Sequence, residues 1–271
     1  MKRLLPVIYF VKELVRTYQA RRVSRSAAEF AYFLTLSIFP ILICAVAILA
    51  SFEMSLDGLF ADLWAEDVVT AVVGYISHVG AMPPVWILSI AITVIVTSGS
   101  ASFRALAKIM EDIQGKPRYR GFWGLIVSFV FSILLLFTIY FSVLMIATGA
   151  WLMEEVEAAL GLYGLAAAWQ RIRFVLLFAV AVVAVHLIYT FTAPKEPKKR
   201  HLPGAVIATV ALVAGSMIFS VFMAASVRYP LIYGSLASFI LLMVWAYLCG
   251  NILILGNLFN YQLYKWRNPD A

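Results

Sequence analysis

The longest uncharged stretch of the sequence, Gly234 to Leu263, limits what this chain can fold into. At roughly 1.5 Å of rise per residue, a helix over this stretch is about 45 Å long. The hydrocarbon core of a bilayer is only about 30 Å thick, so such a helix can cross it with a tilt and still protrude. The stretch therefore predicts a membrane-spanning helix, followed by the basic residues Lys265 and Arg267.

One face of this predicted helix is polar. Its members recur at alternating spacings of three and four residues: Gly250, Leu253, Asn257, Asn260 and Tyr264. Amide groups inside a bilayer need hydrogen-bond partners, so this face is expected to contact other helices or a water-filled cavity. Gly250 and Gly256 have no side chain, so they would let a neighbouring helix approach closely.

The composition excludes a soluble domain. Hydrophobic residues make up 63% of the chain and charged residues only 13%, which is too little polar surface to cover a globule in water. Cys44 and Cys249 lie inside apolar runs, so they are predicted to be buried thiols rather than disulfide partners or metal ligands. No cofactor is predicted.

The apolar runs predict an all-α, polytopic membrane bundle with one transmembrane domain over residues 1–271. Six transmembrane helices are expected at about 26–51, 84–107, 122–152, 173–191, 202–227 and 234–263. Residues 1–25 are basic and carry an apolar stripe made of Leu4, Ile8, Val11, Val15 and Tyr18. This pattern predicts an interfacial amphipathic helix, although a cleaved signal peptide is the competing interpretation. Residues 53–82 and a short segment before the fourth helix are predicted to be amphipathic and extracytoplasmic.

The basic residues predict the orientation of the bundle. With the N-terminus inside, every Lys and Arg except Arg171, Arg173 and Arg228 lies on the cytoplasmic side. Such a bias predicts that both termini are cytoplasmic. It also accounts for the formal net charge of +7 without a nucleic-acid partner.

Several polar residues inside the predicted helices need an explanation. Glu29 is expected near the cytoplasmic surface, where an Arg or Lys partner is the simple interpretation and ion coupling the alternative. The run Thr97–Ser102 indicates either close helix packing or a substrate path. His186 is expected to be a hydrogen-bonded core histidine, with a proton relay as the alternative. Pro40 is predicted to break the first helix, because it lacks an N–H and crowds the preceding turn.

Three stretches together resemble the YihY/virulence factor BrkB family. They are Ala27 to Pro40, Pro203 to Ala205, and Tyr233 to Leu236 followed by Trp245 and Gly256. The resemblance covers nearly the whole chain, and it implies a six-helix protein of the bacterial inner membrane whose family was once mislabelled ribonuclease BN. The sequence departs from the family near its end, where the family usually reads Gly-Ala-Glu-Leu-Asn and this chain has Leu258 in place of the acid.

The sequence argues against an enzyme. A ribonuclease would need a general acid and a base, or a metal cluster, at one place. The predicted topology puts His78 outside, His186 within a helix and His201 in a cytoplasmic loop, so they are not expected to converge on one ion. The sequence also has no glycine-rich phosphate loop.

Two functional classes remain. The first is a transporter- or flippase-like protein that binds or moves an amphiphile, such as a lipid or a lipid-linked precursor, through a cavity between helices. Its candidate contacts are Glu29, Tyr32, Ser100, Asn257 and Asn260. The second is a non-transporting scaffold for envelope machinery, with envelope proteins or a second copy of the chain as partner. A cavity with a polar lining favours the first class, and a filled core with an exposed apolar groove favours the second.

Overall fold

The computed structural model of the protein describes residues 5–51, 85–117, 122–131, 133, 153, 155–159, 165–194, 201–225 and 235–268. Within these residues the regular structure is entirely α-helical, which confirms the all-α part of the predicted fold class. The longer helices are α1 (Leu5–Ala20), α2 (Val23–Ser51), α3 (Val85–Gln114), α4 (Phe122–Phe131), α5 (Leu165–Thr192), α6 (Leu202–Ala225) and α7 (Ser235–Arg267). A short helical segment lies at 155–159.

Local sequence explains several helix ends. A tight turn at Arg21 and Arg22 separates α1 from α2, and Arg22 has a φ of 51°. α3 ends at Gln114 and is followed by Gly115, whose φ of 68° is a left-handed conformation that glycine adopts without strain. The N–H of Gly115 bonds the Glu111 carbonyl at 2.7 Å. Pro203 lies in the first turn of α6, where its missing N–H breaks no intrahelical bond.

Among the described residues, four helices are long and apolar enough to cross a membrane. The qualifying stretches are Val85–Gln114, Ile172–Thr192, Leu202–Phe222 and Phe239–Arg267. They coincide with the predicted second, fourth, fifth and sixth transmembrane helices. α2 coincides with the predicted first helix, and α4 with the beginning of the third. Several helices of this kind indicate a multi-pass membrane protein. The total of six transmembrane helices stays a prediction.

The structure differs from the prediction at several helix ends and at Pro40. The largest difference is in α5, which begins at Leu165 and not at about 173. α3 continues to Gln114, past the predicted end at 107, because Ile109, Met110 and Ile113 are buried in the core and keep the segment helical. α2 continues through Pro40 to Ser51. Pro40 therefore does not end the helix, since one proline removes only one intrahelical hydrogen bond from a long apolar segment. A bend at Pro40 stays a prediction.

Some predicted segments fall outside the described residues. They include 1–4, 53–82 and most of the predicted third transmembrane helix. The placement of α1 at a membrane surface, and the single transmembrane domain over residues 1–271, also stay predictions.

The chain divides into two compact units. Unit 1 comprises Met1–Thr35, Gly99–Phe131 and Leu176–Ala271, and unit 2 comprises Leu36–Ser98 and Ser132–Val175. In unit 2, Cys44 packs with Ala91 and Ile95 in a small buried cluster. Cys44 and Cys249 are both free and buried, which confirms the prediction for the two thiols.

α7 is the element that the other helices of unit 1 contact most. Its residues Ile254 and Leu258 are completely buried in a core shared with α1, α2, α3, α5 and α6. Tyr18 of α1 donates a hydrogen bond from Oη to Asn251 Oδ1 at 2.7 Å. Tyr189 of α5 donates from Oη to the Leu253 carbonyl oxygen at 2.8 Å. Unit 1 is therefore built around the helix that the longest uncharged stretch of the sequence predicts.

Candidate functional site

Two glycines of α7 allow three neighbouring helices to pack closely on it. A Cβ added at Gly256 would collide with Tyr189 Oη, and it would lie 2.7 Å from the Cβ of Ala208. A Cβ added at Gly250 would lie 2.9 Å from Cδ1 of Phe30. Real Cβ atoms do not approach other atoms so closely, so α2, α5 and α6 reach α7 only because these positions are glycine. The prediction that both glycines admit close neighbours is confirmed.

Asn260 joins α7 to the beginning of α6. Its Nδ2 donates to the His201 carbonyl oxygen at 2.9 Å, and its Oδ1 accepts a hydrogen bond from the Gly204 N–H at 2.7 Å. The first N–H groups of a helix have no intrahelical partner, so the Asn260 amide caps α6 from another helix. Both ends of this amide are therefore engaged by backbone.

Asn257 lies one turn away on α7 and is completely buried. Neither its Oδ1 nor its Nδ2 has a hydrogen-bond partner within the described part of the chain. Burying an amide without a partner costs free energy, so this residue does not contribute to stability as Asn260 does. The two amides of the predicted polar face thus have different roles.

An open pocket of about 550 Å³ lies among α2, α3 and α4 of unit 1. Its charged lining consists of Glu29, Arg104, Lys108 and Glu111, and its bulkier apolar lining of Phe33, Phe103 and Leu125. Ser128, Gly124 and three alanines, Ala101, Ala105 and Ala107, complete the lining. The volume lies within the roughly 300–1,000 Å³ typical of small-molecule sites. The pocket combines ionic and apolar walls, which is the pattern that an amphiphile requires.

Three charged residues of α3 line the pocket because they lie on one face of the helix. Ser100, Arg104, Lys108 and Glu111 follow one another at spacings of four, four and three, which places them on one helix face. Arg104 donates from Nη1 to Ser100 Oγ at 2.6 Å. Ser100 is buried, so it orients the guanidinium group of Arg104 and does not itself line the pocket.

Two of the charged groups at the pocket have no partner within the described part of the chain. Glu29 and Lys108 are exposed, and their side chains form no ion pair or hydrogen bond with any other residue that the structure describes. A carboxylate and an ammonium therefore face the same open volume without neutralising each other. This arrangement leaves both groups available to a ligand.

The predicted ligand contacts occupy different places in unit 1. Glu29 lines the pocket, and Ser100 acts on it through Arg104. Tyr32 is half exposed, its ring packs edge to face on the Phe33 ring at 5.2 Å, and it is not among the described residues that line the pocket. Asn257 and Asn260 lie in the core, as described above.

His186 and His201 are neighbours in unit 1. Their ring centroids are 6.4 Å apart, because the Asn260 amide holds the backbone of His201 at the start of α6. His78 lies outside the described residues, so the expectation that the three histidines do not converge on one ion stays a prediction. His186 Nδ1 is buried without a hydrogen-bond partner in the described part of the chain. Among those residues, no group of three or more His, Cys, Asp and Glu is arranged to hold a metal ion.

Lys108 and Glu111 were missed as candidate site residues by reasoning from the sequence. The positive charge of Lys108 indicated only that this end of the helix is cytoplasmic, and the Arg104 side chain was expected to extend to the lipid headgroups. The signal that could have found them is the spacing of Ser100, Arg104, Lys108 and Glu111 on one face of a helix, since the residues between Ser100 and Glu111 are otherwise small or apolar.

Comparisons with known proteins cover almost the whole chain. A family model described as virulence factor BrkB matches residues 14–270. YfkH of Bacillus subtilis (strain 168), which is named a ribonuclease-like protein, is 28% identical over 273 residues, covering 96% of this chain and 98% of YfkH. A UPF0761 membrane protein of Vibrio parahaemolyticus serotype O3:K6 is 26% identical over 275 residues, covering 94% of this chain and 82% of the relative. No solved structure gives a significant match to the chain.

Proposed function

This chain belongs to the virulence factor BrkB family, and from that premise we propose that it binds or moves an amphiphile at the pocket among α2, α3 and α4. The amphiphile is a lipid or a lipid-linked precursor. The protein lies in the bacterial inner membrane with both termini in the cytoplasm, since this orientation leaves only Arg171, Arg173 and Arg228 on the outer side. Its relatives in Vibrio are named membrane proteins, which agrees with this location.

The observation that carries the proposal is the mixed lining of the pocket. Glu29 and Lys108 are charged and have no partner among the residues that the structure describes, while Phe33, Phe103 and Leu125 form the apolar wall. A purely polar solute would leave the apolar wall exposed to water, so it would gain no hydrophobic free energy there. A purely apolar solute would desolvate the charged groups, which costs free energy. A molecule with a polar head and a hydrocarbon tail satisfies both parts.

The proposal also fits where ionic side chains can lie in a membrane protein. Charged groups at mid-membrane are costly, whereas those near a helix end reach the headgroup region. Arg104, Lys108 and Glu111 lie in the second half of α3, on the side that the topology assigns to the cytoplasm. The pocket would therefore meet headgroups of the inner leaflet.

Ribonuclease activity is not part of this proposal, although YfkH is named a ribonuclease-like protein. The charged groups at the pocket are two carboxylates, a guanidinium and an ammonium, and no histidine lines it among the described residues. The alternative is a scaffold that binds envelope proteins and transports nothing. The two differ in whether the pocket must stay open for the protein to work.

A bulky substitution in the pocket wall tests the proposal. Leu125 lines the pocket from α4, while its neighbour Ile126 does not, and both are partly exposed. We expect Leu125→Trp to fill the pocket and to reduce lipid binding at least severalfold, and Ile126→Trp to leave it unchanged. Binding is measured by lipid mass spectrometry of the purified protein, and movement by translocation of a labelled lipid in reconstituted vesicles.

The same variants distinguish the scaffold from the amphiphile binder. If the purified protein neither retains nor moves any lipid of its own membrane, and Leu125→Trp fully complements a deletion strain, the scaffold takes the place of our proposal. If Leu125→Trp loses complementation and lipid binding together while Ile126→Trp keeps both, the proposal stands.

A further inference from the structure

The pocket is lined by two positively and two negatively charged side chains. Arg104 and Lys108 are one turn apart on α3, so their positive charges lie side by side. Glu111 follows on the next turn of the same face, and Glu29 enters from α2. A site for a simple anion would be lined by positively charged side chains only, and a site for a simple cation by negatively charged side chains only. Here both signs line one volume.

From this arrangement we propose that the pocket selects a phospholipid with a zwitterionic headgroup whose cation is a primary ammonium. The phosphate lies on Arg104 and Lys108, and the ammonium lies against Glu29 and Glu111. The inference rests on the proposed function, since it names the class of amphiphile that the same pocket takes.

Charge and hydrogen-bond capacity give the expected order of headgroups. A phosphate accepts charge-assisted hydrogen bonds from a guanidinium and from an ammonium, and a primary ammonium offers three N–H donors to carboxylates. A choline headgroup has the same charges but no N–H donor. A glycerol headgroup keeps the negative phosphate but brings no cation, so it leaves Glu29 and Glu111 facing an anion.

Ser100 has a positioning role in this scheme. Its Oγ accepts the 2.6 Å hydrogen bond from Arg104 Nη1, which holds one edge of the guanidinium along α3. The remaining N–H groups stay directed away from that bond and available to a phosphate. Ser100 thus sets the orientation of a ligand contact without touching the ligand.

The experiment compares three phospholipids that share their acyl chains: palmitoyl-oleoyl phosphatidylethanolamine, phosphatidylcholine and phosphatidylglycerol. Each competes with a fluorescent phospholipid for the purified full-length protein in detergent. We expect phosphatidylethanolamine to bind roughly tenfold more tightly than the other two, the effect of one additional charge-assisted hydrogen-bonded contact. Soluble phosphoethanolamine, which has the headgroup without the tails, should not displace the probe at the same concentration.

Single substitutions assign the two halves of the headgroup. Glu29→Gln should remove the preference for phosphatidylethanolamine over phosphatidylcholine, whereas Lys108→Gln should weaken all three phospholipids. Glu29→Lys should turn the preference toward phosphatidylglycerol. The matched controls are Glu155→Gln in the segment at 155–159 and Lys12→Gln on α1, which are exposed residues that do not line the pocket and should change nothing.

The outcomes separate the inference from the proposed function. If the three phospholipids bind within twofold of one another, or if Glu29→Lys leaves their order unchanged, the headgroup assignment is overturned while lipid binding stands. Displacement by soluble phosphoethanolamine as effective as by the lipid would overturn the assignment to a membrane lipid. If no phospholipid binds at all, the proposed function itself fails.

Discussion

Two asparagines on one face of α7 show how context decides what a residue contributes. Asn260 donates to His201 and accepts from Gly204, so its amide replaces the water that these backbone groups would otherwise need. Asn257 is equally buried, but its amide has no hydrogen-bond partner in the described part of the chain. The Asn260 amide therefore stabilises the contact between α6 and α7, whereas burial of the Asn257 amide costs free energy.

The same substitution at the two positions should therefore have different effects. We expect Asn260→Leu to lower the free energy of unfolding by about 1–3 kcal/mol, because it leaves the buried Gly204 N–H unpaired and removes one of the two hydrogen bonds that the His201 carbonyl oxygen accepts. Asn257→Leu should leave it unchanged or raise it, because it removes an amide that has no partner. Thermal unfolding of the purified variants in one detergent measures the difference. Equal losses in the two variants would contradict this prediction.

The sequence predicted which residues form this face but not how they differ. Helical spacing aligned Gly250, Asn257 and Asn260, and it indicated that the glycines admit close neighbours. Whether an amide meets a backbone group depends on the helix opposite, and a periodic pattern contains no information about that helix. The cap on α6 also holds His201 near His186, a proximity that no sequence pattern indicated.

At the scale of a single helix, α1 is attached to the core of unit 1 by its inner face. Leu14 packs against the core cluster, the Phe10 ring meets the Phe259 ring at 5.3 Å, and Tyr18 bonds Asn251. Burial, together with the nearby Tyr247 hydroxyl, raises the pKa of Tyr18. The Tyr18 hydroxyl therefore stays protonated at neutral pH and remains a hydrogen-bond donor.

Loss of this hydroxyl should loosen α1. We expect Tyr18→Phe to speed amide hydrogen exchange across α1 severalfold, because one net hydrogen bond is worth about 0.5–1.5 kcal/mol. Hydrogen–deuterium exchange with mass spectrometry of the purified protein measures it. Tyr9→Phe is the matched control, since Tyr9 lies on the same helix and is 76% exposed. Unchanged exchange in Tyr18→Phe would show that the apolar contacts alone hold the helix.

Only part of the predicted apolar stripe of α1 packs against the core of unit 1. Tyr18 belongs to the stripe and packs against this core, whereas Val11 and Val15 are about half exposed. Leu14, which is not part of the stripe, also packs against the core. Hydrophobic periodicity identifies apolar residues without distinguishing protein from lipid as their surroundings, since lipid tails are as apolar as leucine. A helix between a bundle and a membrane surface carries apolar residues on two sides.

At the scale of the whole molecule, the proposed orientation can be tested with thiol labelling. Lys12 on α1 and Glu155 in the segment at 155–159 are exposed and are expected on opposite sides of the membrane. We expect an impermeant maleimide to label Glu155→Cys in intact spheroplasts, and Lys12→Cys only after permeabilisation. The unsubstituted protein is the control, because Cys44 and Cys249 are only 5% and 8% exposed. Labelling of Lys12→Cys in intact spheroplasts would reverse or reject the orientation.

Much of the helical organisation follows from the sequence because long apolar segments have few alternatives in a bilayer. α6 and α7 begin and end within a few residues of their predicted bounds. The pocket could not be predicted in the same way, because it needs Glu29 of α2 beside Lys108 of α3 and Leu125 of α4. Those contacts depend on helix packing, which local sequence patterns do not specify.

The order in which these parts are synthesised has a consequence for biogenesis. Tyr18 is 233 residues from its partner Asn251, and Ser24 is 223 residues from Tyr247, to which it is hydrogen-bonded at 2.7 Å. At about 5–20 residues per second, translation separates these partners by roughly 10–50 s. During that interval the first two helices have left the ribosome without the helix that completes their hydrogen bonds. A nascent chain that stops before α7 therefore lacks both the acceptor of the Tyr18 hydrogen bond and the partner of Ser24, so these contacts form only after the last helix has been synthesised.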